Sequence, residues 1–296
     1  MKPGTDFYKS MSLNIIAFFA CSCLLTFQSY SQVNKPSPKK GYAPVNGLKM
    51  YYEIHGDGQP LVILHGAFMT INTAFPPLIA GLSKNRKVIA VELQGHGRTA
   101  DIDRPFSFES MADDIMALLK YLKIDSVDVV GYSLGGGVAW QVSIRYPQLV
   151  RKLVIISAAY KFEGWTPETR AIFPTITPAV FEGSPIKKEY DSLAPDPKHW
   201  PQMVEKLKLL VAKPYDFTAE KIKSIKSPTL IITGDGDGVL PEHAVEMFRL
   251  RGGVMMPDFG APPRVQLAIF PGTSHIGVMF HPDWLLSVIQ PFLDAQ

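Results

Sequence analysis

Residues 127–137 read VDVVGYSLGGG. Val127–Val130 is a short, mostly apolar run of the kind that makes a buried strand. Val138–Tyr146 follows the glycines with a helical pattern and stops at Pro147. A strand that passes into a helix through Gly131-Tyr132-Ser133-Leu134-Gly135 must reverse sharply. Gly131 and Gly135 keep side chains out of that turn, and the Ser133 hydroxyl is left standing clear of the sheet. A glycine-serine-glycine pattern alone arises often by chance. Between a buried strand and a helix it marks Ser133 as a candidate nucleophile.

Further runs extend this plan in both directions. Leu48–Ile54, Leu61–Leu64 and Lys87–Leu93 read as strands upstream. Leu153–Ile156, Leu230–Thr233 and Val265–Phe270 read as strands downstream. Met111–Lys123 sets Ile115, Leu118, Leu119 and Leu122 on one helical face, with Ser107 available as a cap. Pro241–Leu250 and Pro282–Leu293 are two more helices. Strands alternating with helices define an α/β fold, a mostly parallel sheet with helices on both faces. That core occupies residues 45–157 and 228–296. Residues 158–227 break the rhythm: they hold eight prolines, no convincing strand and several exposed-looking aromatics (Tyr160, Phe162, Trp165, Phe173, Trp200). So long a stretch is no plain connection, and it reads as a cap of short helices.

The chain's 296 residues are 46% hydrophobic and 19% charged, which excludes wholesale disorder. The net charge of +3 comes with no basic block beyond a loose Lys35, Lys39, Lys40 cluster, so no nucleic-acid partner is expected. Residues 13–27, LNIIAFFACSCLLTF, form an uncharged apolar run preceded by Lys2 and Lys9. With Ser29-Tyr30-Ser31 after it, residues 1–31 read as a secretory signal cleaved after Ser31. The alternative is an uncleaved anchor, but a bilayer usually takes about 20 apolar residues. The expected location is therefore the periplasm or the extracellular space, with membrane contact only through this segment if it is retained. Cys21 and Cys23 both lie inside it. Residues 32–44, QVNKPSPKKGYAP, read as a solvated linker.

A serine hydroxyl needs a base. His275, in Gly272-Thr273-Ser274-His275 just past the last core strand, is the candidate. His55, His65 and His96 sit in turn-like contexts, and His199, His243 and His281 fall in the cap or at helix starts. The orienting acid should follow strand LIIT, in Thr233-Gly234-Asp235-Gly236-Asp237-Gly238. Asp237 is clear of the strand end and can reach an imidazole. Asp235 is the alternative, though an aspartate in the first turn position ordinarily satisfies its own turn. The same loop lacks the further ligands of a calcium loop, so no metal is expected. Backbone N–H donors for an oxyanion would come from Leu134, next to the serine, and from Ala67 in His65-Gly66-Ala67-Phe68, with Phe68 the next candidate.

The segments HGAF (65–68), ELQGHGRT (92–99), GYSLGG (131–136), GDGD (234–237) and PGTSH (271–275) together resemble the α/β-hydrolase superfamily, in its serine-nucleophile branch. The resemblance implies an eight-stranded sheet, a helical cap after strand six and the triad Ser133, Asp237 and His275. Serine at the elbow argues against the branches that place aspartate there. Glu92 and Gln94 depart from the aspartate and arginine or proline common in the strand-four turn, which blurs the subfamily but leaves the triad intact.

The expected activity is hydrolysis of small to medium carboxylic esters with no cofactor, in a pocket walled by Phe68, Tyr132, Trp165 and Phe173. The same triad also serves cofactor-free perhydrolases of the haloperoxidase type and C–C bond hydrolases. The contrasting class is a ligand-binding protein on a retained hydrolase fold.

Overall fold

The computed structural model describes residues 37–253 and 264–295. The signal reading of residues 1–31, with both cysteines, and the first linker residues lie outside them. At the centre of the sheet is β5 (Val127–Tyr132), buried along its whole length. It runs parallel to β3 (Gln59–Leu64) on one side and β6 (Val150–Ile156) on the other. β4 (Arg86–Val91), β7 (Thr229–Gly236) and β8 (Val265–Ser274) continue the parallel set. β1 (Lys39–Val45) and β2 (Leu48–His55) close one edge antiparallel, giving the order β1-β2-β4-β3-β5-β6-β7-β8.

Successive strand residues point to opposite faces, so each central strand feeds two cores. Val62, Leu64, Val129, Leu153 and Ile155 pack on one face with α3 (Phe108–Tyr121) and α4 (Leu134–Arg145). Leu61, Ile63, Val130, Val154 and Ile156 pack on the other with α2 (Pro76–Leu82) and the last helix, Pro282–Asp294. This is why the buried strands are apolar without alternation. Ser107 caps α3 by accepting the Ser110 N–H, as its position before the helix predicts.

Three expectations and one omission need correction. The linker does not run on to residue 44, because Lys39–Val45 forms β1. The signal for it was Asn46-Gly47, a two-residue hairpin loop with φ of 46° and 86°, hidden by the lysine- and proline-rich look of an edge strand. The turn after β3 also holds α1 (Ile71–Ala74) and α2, which carry too few residues to display a helical period. Helix α4 begins at Leu134, directly after the serine, rather than at Val138. Tyr160, Trp165 and Trp200, which looked exposed, are buried.

Between β6 and β7 run α5 (Pro167–Ile172), α6 (Pro185–Leu193), α7 (Trp200–Ala212) and α8 (Ala219–Ser224), with short 3-10 turns between them. Prolines stand in the first turn of α5, α6 and α7, where the missing N–H costs no helical bond. Among the described residues, no helix is long and apolar enough to cross a membrane.

Candidate active site

The turn from β5 into α4 holds Ser133 at φ 52° and ψ −115°, a backbone conformation side chains rarely adopt. Two close approaches keep it there. A Cβ on Gly135 would lie 2.1 Å from the Leu64 carbonyl oxygen, and one on Gly131 would lie 2.2 Å from that of Gly135. The Ser133 N–H donates to the Ile156 carbonyl at 2.9 Å, and the Ser133 carbonyl accepts from Gly136 and Gly137. The strain therefore rests on contacts with two neighbouring strands.

His275 lies just past β8 and Asp237 just past β7. The structure brings them to the serine in one line. His275 Nε2 is 2.9 Å from Ser133 Oγ, and His275 Nδ1 is 2.7 Å from Asp237 Oδ1. An ionised carboxylate can only accept, so Nδ1 carries the proton and Nε2 accepts from the serine hydroxyl. Asp235, the competing acid, is exposed and instead accepts the Thr273 N–H at 3.3 Å.

Asp237 is buried, which opposes its ionisation. Its hydrogen bond to His275 and the charge there, with Ser157 Oγ and the Val239 N–H, outweigh burial and hold the carboxyl below its usual range. Thr233 Oγ1 also donates to Oδ2 at 3.0 Å. Ser157 and Thr233 had not been singled out. Their signal was modest: each is a small hydroxyl residue at or just past the end of an apolar strand.

Tyr132 stacks on the His275 ring at 5.5 Å between centroids, and its hydroxyl donates to the His275 carbonyl at 3.0 Å. Burial, with the charge of Asp237, raises the Tyr132 phenol and keeps it a donor. Trp165 also meets the His275 ring, edge-on at 5.5 Å between centroids. Its backbone is stitched to the acid loop: Thr166 N–H donates to Gly238 O at 2.8 Å, Leu240 N–H to Gly164 O at 2.9 Å, and Trp165 bridges Val239.

Leu134 is the first residue of α4, so its N–H has no carbonyl of its own helix to bond. Ala67 faces the same cavity from the loop after β3. That loop is fixed by His65, which is fully buried. Nδ1 of His65 lies 2.8 Å from the Gly66 carbonyl, and Nε2 accepts the Leu93 N–H at 3.1 Å. Burial, with the neighbouring His96, pushes its imidazole down to about 3 against the pull of the Gly66 carbonyl. Glu92 and Gln94 are also buried, holding Arg98 and Arg104 respectively.

Ser133, His275, Ala67 and Leu134 open onto one cavity of about 460 Å³. Phe68, Tyr132, Trp165 and Phe173, the four expected wall residues, all line it. So do Tyr215 and Glu189 from the stretch between β6 and β7, which had drawn no attention in the sequence. Among the described residues, no group of three or more His, Cys, Asp or Glu side chains is arranged to hold a metal ion.

The chain belongs to the alpha/beta hydrolase family, whose model matches residues 61–288. It is similar to the serine hydrolase BPHL of Mus musculus, 30% identical over 213 residues that cover 68% of this chain and 71% of that one. It is also similar to the 2-hydroxymuconate semialdehyde hydrolase of Pseudomonas sp. (strain CF600), 26% identical over 83% of this chain and 91% of that one. A crystal structure of a meta-cleavage product hydrolase from Pseudomonas fluorescens shares the fold, with a TM-score of 0.66 and 23% identity over 86% of this chain and 97% of that one.

Proposed function

We propose that this hydrolase is an exported serine enzyme that cleaves carboxylic esters of small to medium acyl compounds. The observation that carries the reading is the unbroken line from Ser133 Oγ through His275 to Asp237, at 2.9 and 2.7 Å. Ser133 Oγ attacks the ester carbonyl while His275 Nε2 takes its proton. The carbonyl oxygen, now an anion, is held by the Ala67 and Leu134 N–H groups. The C–O bond breaks, the alcohol leaves with the proton from His275, and the acyl group stays on Ser133. Water, activated by the same imidazole, then releases the acid. Asp237 keeps the ring in the required tautomer and stabilises it when charged. No cofactor enters these steps.

The stretch 158–227 serves as a cap, and its aromatic side chains bound the space an acyl chain can fill. The residue 1–31 signal reading supports export, which a mature N-terminus at Gln32 in the secreted protein would test.

A second reading is supported by the relatives: C–C bond hydrolysis, the activity implied by a semialdehyde hydrolase and a meta-cleavage product hydrolase. One experiment separates the readings. The purified protein is labelled with a fluorophosphonate. It is then assayed on p-nitrophenyl esters of rising length, on 2-hydroxymuconate semialdehyde, and for peroxide-dependent halogenation. Labelling at Ser133 with turnover of short and medium esters is the expected result. Faster turnover of the semialdehyde would favour the C–C reading, and faster halogenation a perhydrolase. Stoichiometric binding without turnover of any of them would make the protein a binder.

A further inference from the structure

The cavity wall is aromatic and aliphatic except at a few points, and its charge balance is one-sided. Among the described residues, Glu189 is the one carboxylate lining it, and no lysine or arginine lines it. Glu189 is half-buried on α6. Its Oε1 accepts from Thr70 Oγ1 at 3.0 Å and from Asn72 Nδ2 at 3.4 Å, both at the start of α1. These neutral donors orient the carboxylate without cancelling its charge. Lys187, two positions away on α6 and turned to another face of the helix, is occupied: its Nζ lies 2.6 Å from Asp191 and sits over the Trp200 ring. An apolar cavity with a single carboxylate on its wall favours a positively charged guest and disfavours a negative one.

We propose that Glu189 is a specificity-determining residue that admits acyl groups bearing an ammonium or similar cationic donor and rejects those bearing a carboxylate. The proposal rests on the ester-hydrolase reading and deepens it. It predicts a substrate preference unlike the carboxylates named for two relatives, the 2-hydroxymuconate semialdehyde hydrolase and an (E)-2-((N-methylformamido)methylene)succinate hydrolase.

The test uses three ethyl esters that share a 4-methylpentanoyl group and differ at its second carbon: leucine ethyl ester with an ammonium as the cation, ethyl 4-methylpentanoate with hydrogen as the uncharged ester, and 1-ethyl 2-isobutylsuccinate with a carboxymethyl group as the anion. Values of kcat/KM are measured for the wild type and for Glu189→Gln, in which the amide keeps the acceptor for Thr70. Ratios within each enzyme are compared, so any loss of folded protein cancels. In the wild type the cation should exceed the uncharged ester, and the uncharged ester the anion, by about tenfold each. Glu189→Gln should bring both ratios within about threefold of unity. Ratios that are the same in both enzymes, with the uncharged ester cleaved and Ser133 labelled by fluorophosphonate, would overturn the Glu189 assignment alone. If no ester is cleaved and Ser133 is not labelled, the ester reading falls and takes this proposal with it.

Discussion

The strand ends that carry Ser133, Asp237 and His275 and the helical stretch between β6 and β7 face one cavity, yet they are built differently. The strand ends are fixed by main chain. Gly131 and Gly135 touch carbonyl oxygens, Ser133 sits at positive φ, and its N–H bonds across to β6. The inserted stretch is tied to the acid loop by main chain at residues 164–166, but elsewhere over the cavity it meets itself ring to ring. Phe181 meets Trp200 edge-on at 5.5 Å, Tyr190 meets Trp200 at 5.0 Å, and Trp165 meets Phe173 at 5.4 Å. Main-chain contacts leave no room for change, whereas ring contacts can be exchanged for others of similar volume. Chemistry should therefore be brittle on one side of the cavity, and selectivity plastic on the other.

The largest test of that contrast is Ser133→Ala. It should lower ester kcat by about 10⁴ to 10⁶ while leaving the melting temperature near that of the wild type. Adding His275→Ala should cost little more, since the residues act as a unit. Retained turnover in the purified single variant would remove Ser133 from the chemistry.

Gly135→Ala probes the main-chain side through folding. A Cβ 2.1 Å from the Leu64 carbonyl should cost about 3 kcal/mol or more, read as a lowered denaturant midpoint. A near-wild-type midpoint would mean that the elbow gives way more easily than its contacts imply.

The core should also lose stability in mild acid. Burial pushes His65 down to about 3 and His96 to about 4. Both are depressed below the unfolded value of about 6.5, so the unfolded chain binds more protons as pH falls and stability drops with it. Between pH 6.5 and 5 the loss should be on the order of 3 kcal/mol. The carboxylates of Glu53 and Glu246, held down to about 2, add their share only below their ordinary range. Buried Glu92 and Asp128, whose carboxyls burial raises, act in the opposite sense, so a net fall in unfolding midpoint across that window reports the histidines, and a net rise would contradict their burial in neutral form.

Ser157→Ala removes one donor from Asp237 while Thr233 and the Val239 N–H remain. A positioning role predicts about a tenfold fall in kcat with KM little changed, and a carboxyl that titrates higher. A rise in KM alone would assign Ser157 to substrate contact instead.

The smallest effect belongs to the ring side. Phe173→Ala should shift relative rates along an ester series by about three- to tenfold toward longer acyl chains, because it widens one wall. Trp165→Ala should shift them too, but with a clear loss of stability, since Trp165 Nε1 donates to Tyr215 Oη at 2.8 Å and its ring abuts His275. Unchanged selectivity in both would mean that these rings serve packing alone.

The same contrast explains what could be read from the chain. Seven strands, the elbow serine, the histidine and the orienting aspartate were legible because each rests on a local pattern: an apolar run, a glycine, a fixed distance past a strand end. Strand β1 escaped because Lys39, Lys40 and Pro44 suit an exposed edge as well as a linker. Ser157, Glu189 and Tyr215 escaped for a different reason. Their neighbours, Asp237, Thr70 and Trp165, lie 80, 119 and 50 positions away in sequence, and no periodicity reports such meetings. The exposed look of Tyr160, Trp165 and Trp200 misled because rings that bury one another leave no alternation behind.

The main-chain bonds between residues 164–166 and 238–240 have a practical meaning for anyone recombining this chain with its relatives. They run through Val239, whose N–H is also a donor to Asp237. Residues 158–166 therefore travel with the acid, although they precede it by some seventy positions. A foreign segment spliced in beyond Thr166 would inherit a seated carboxylate. One spliced at Ala158 would have to bring its own seam.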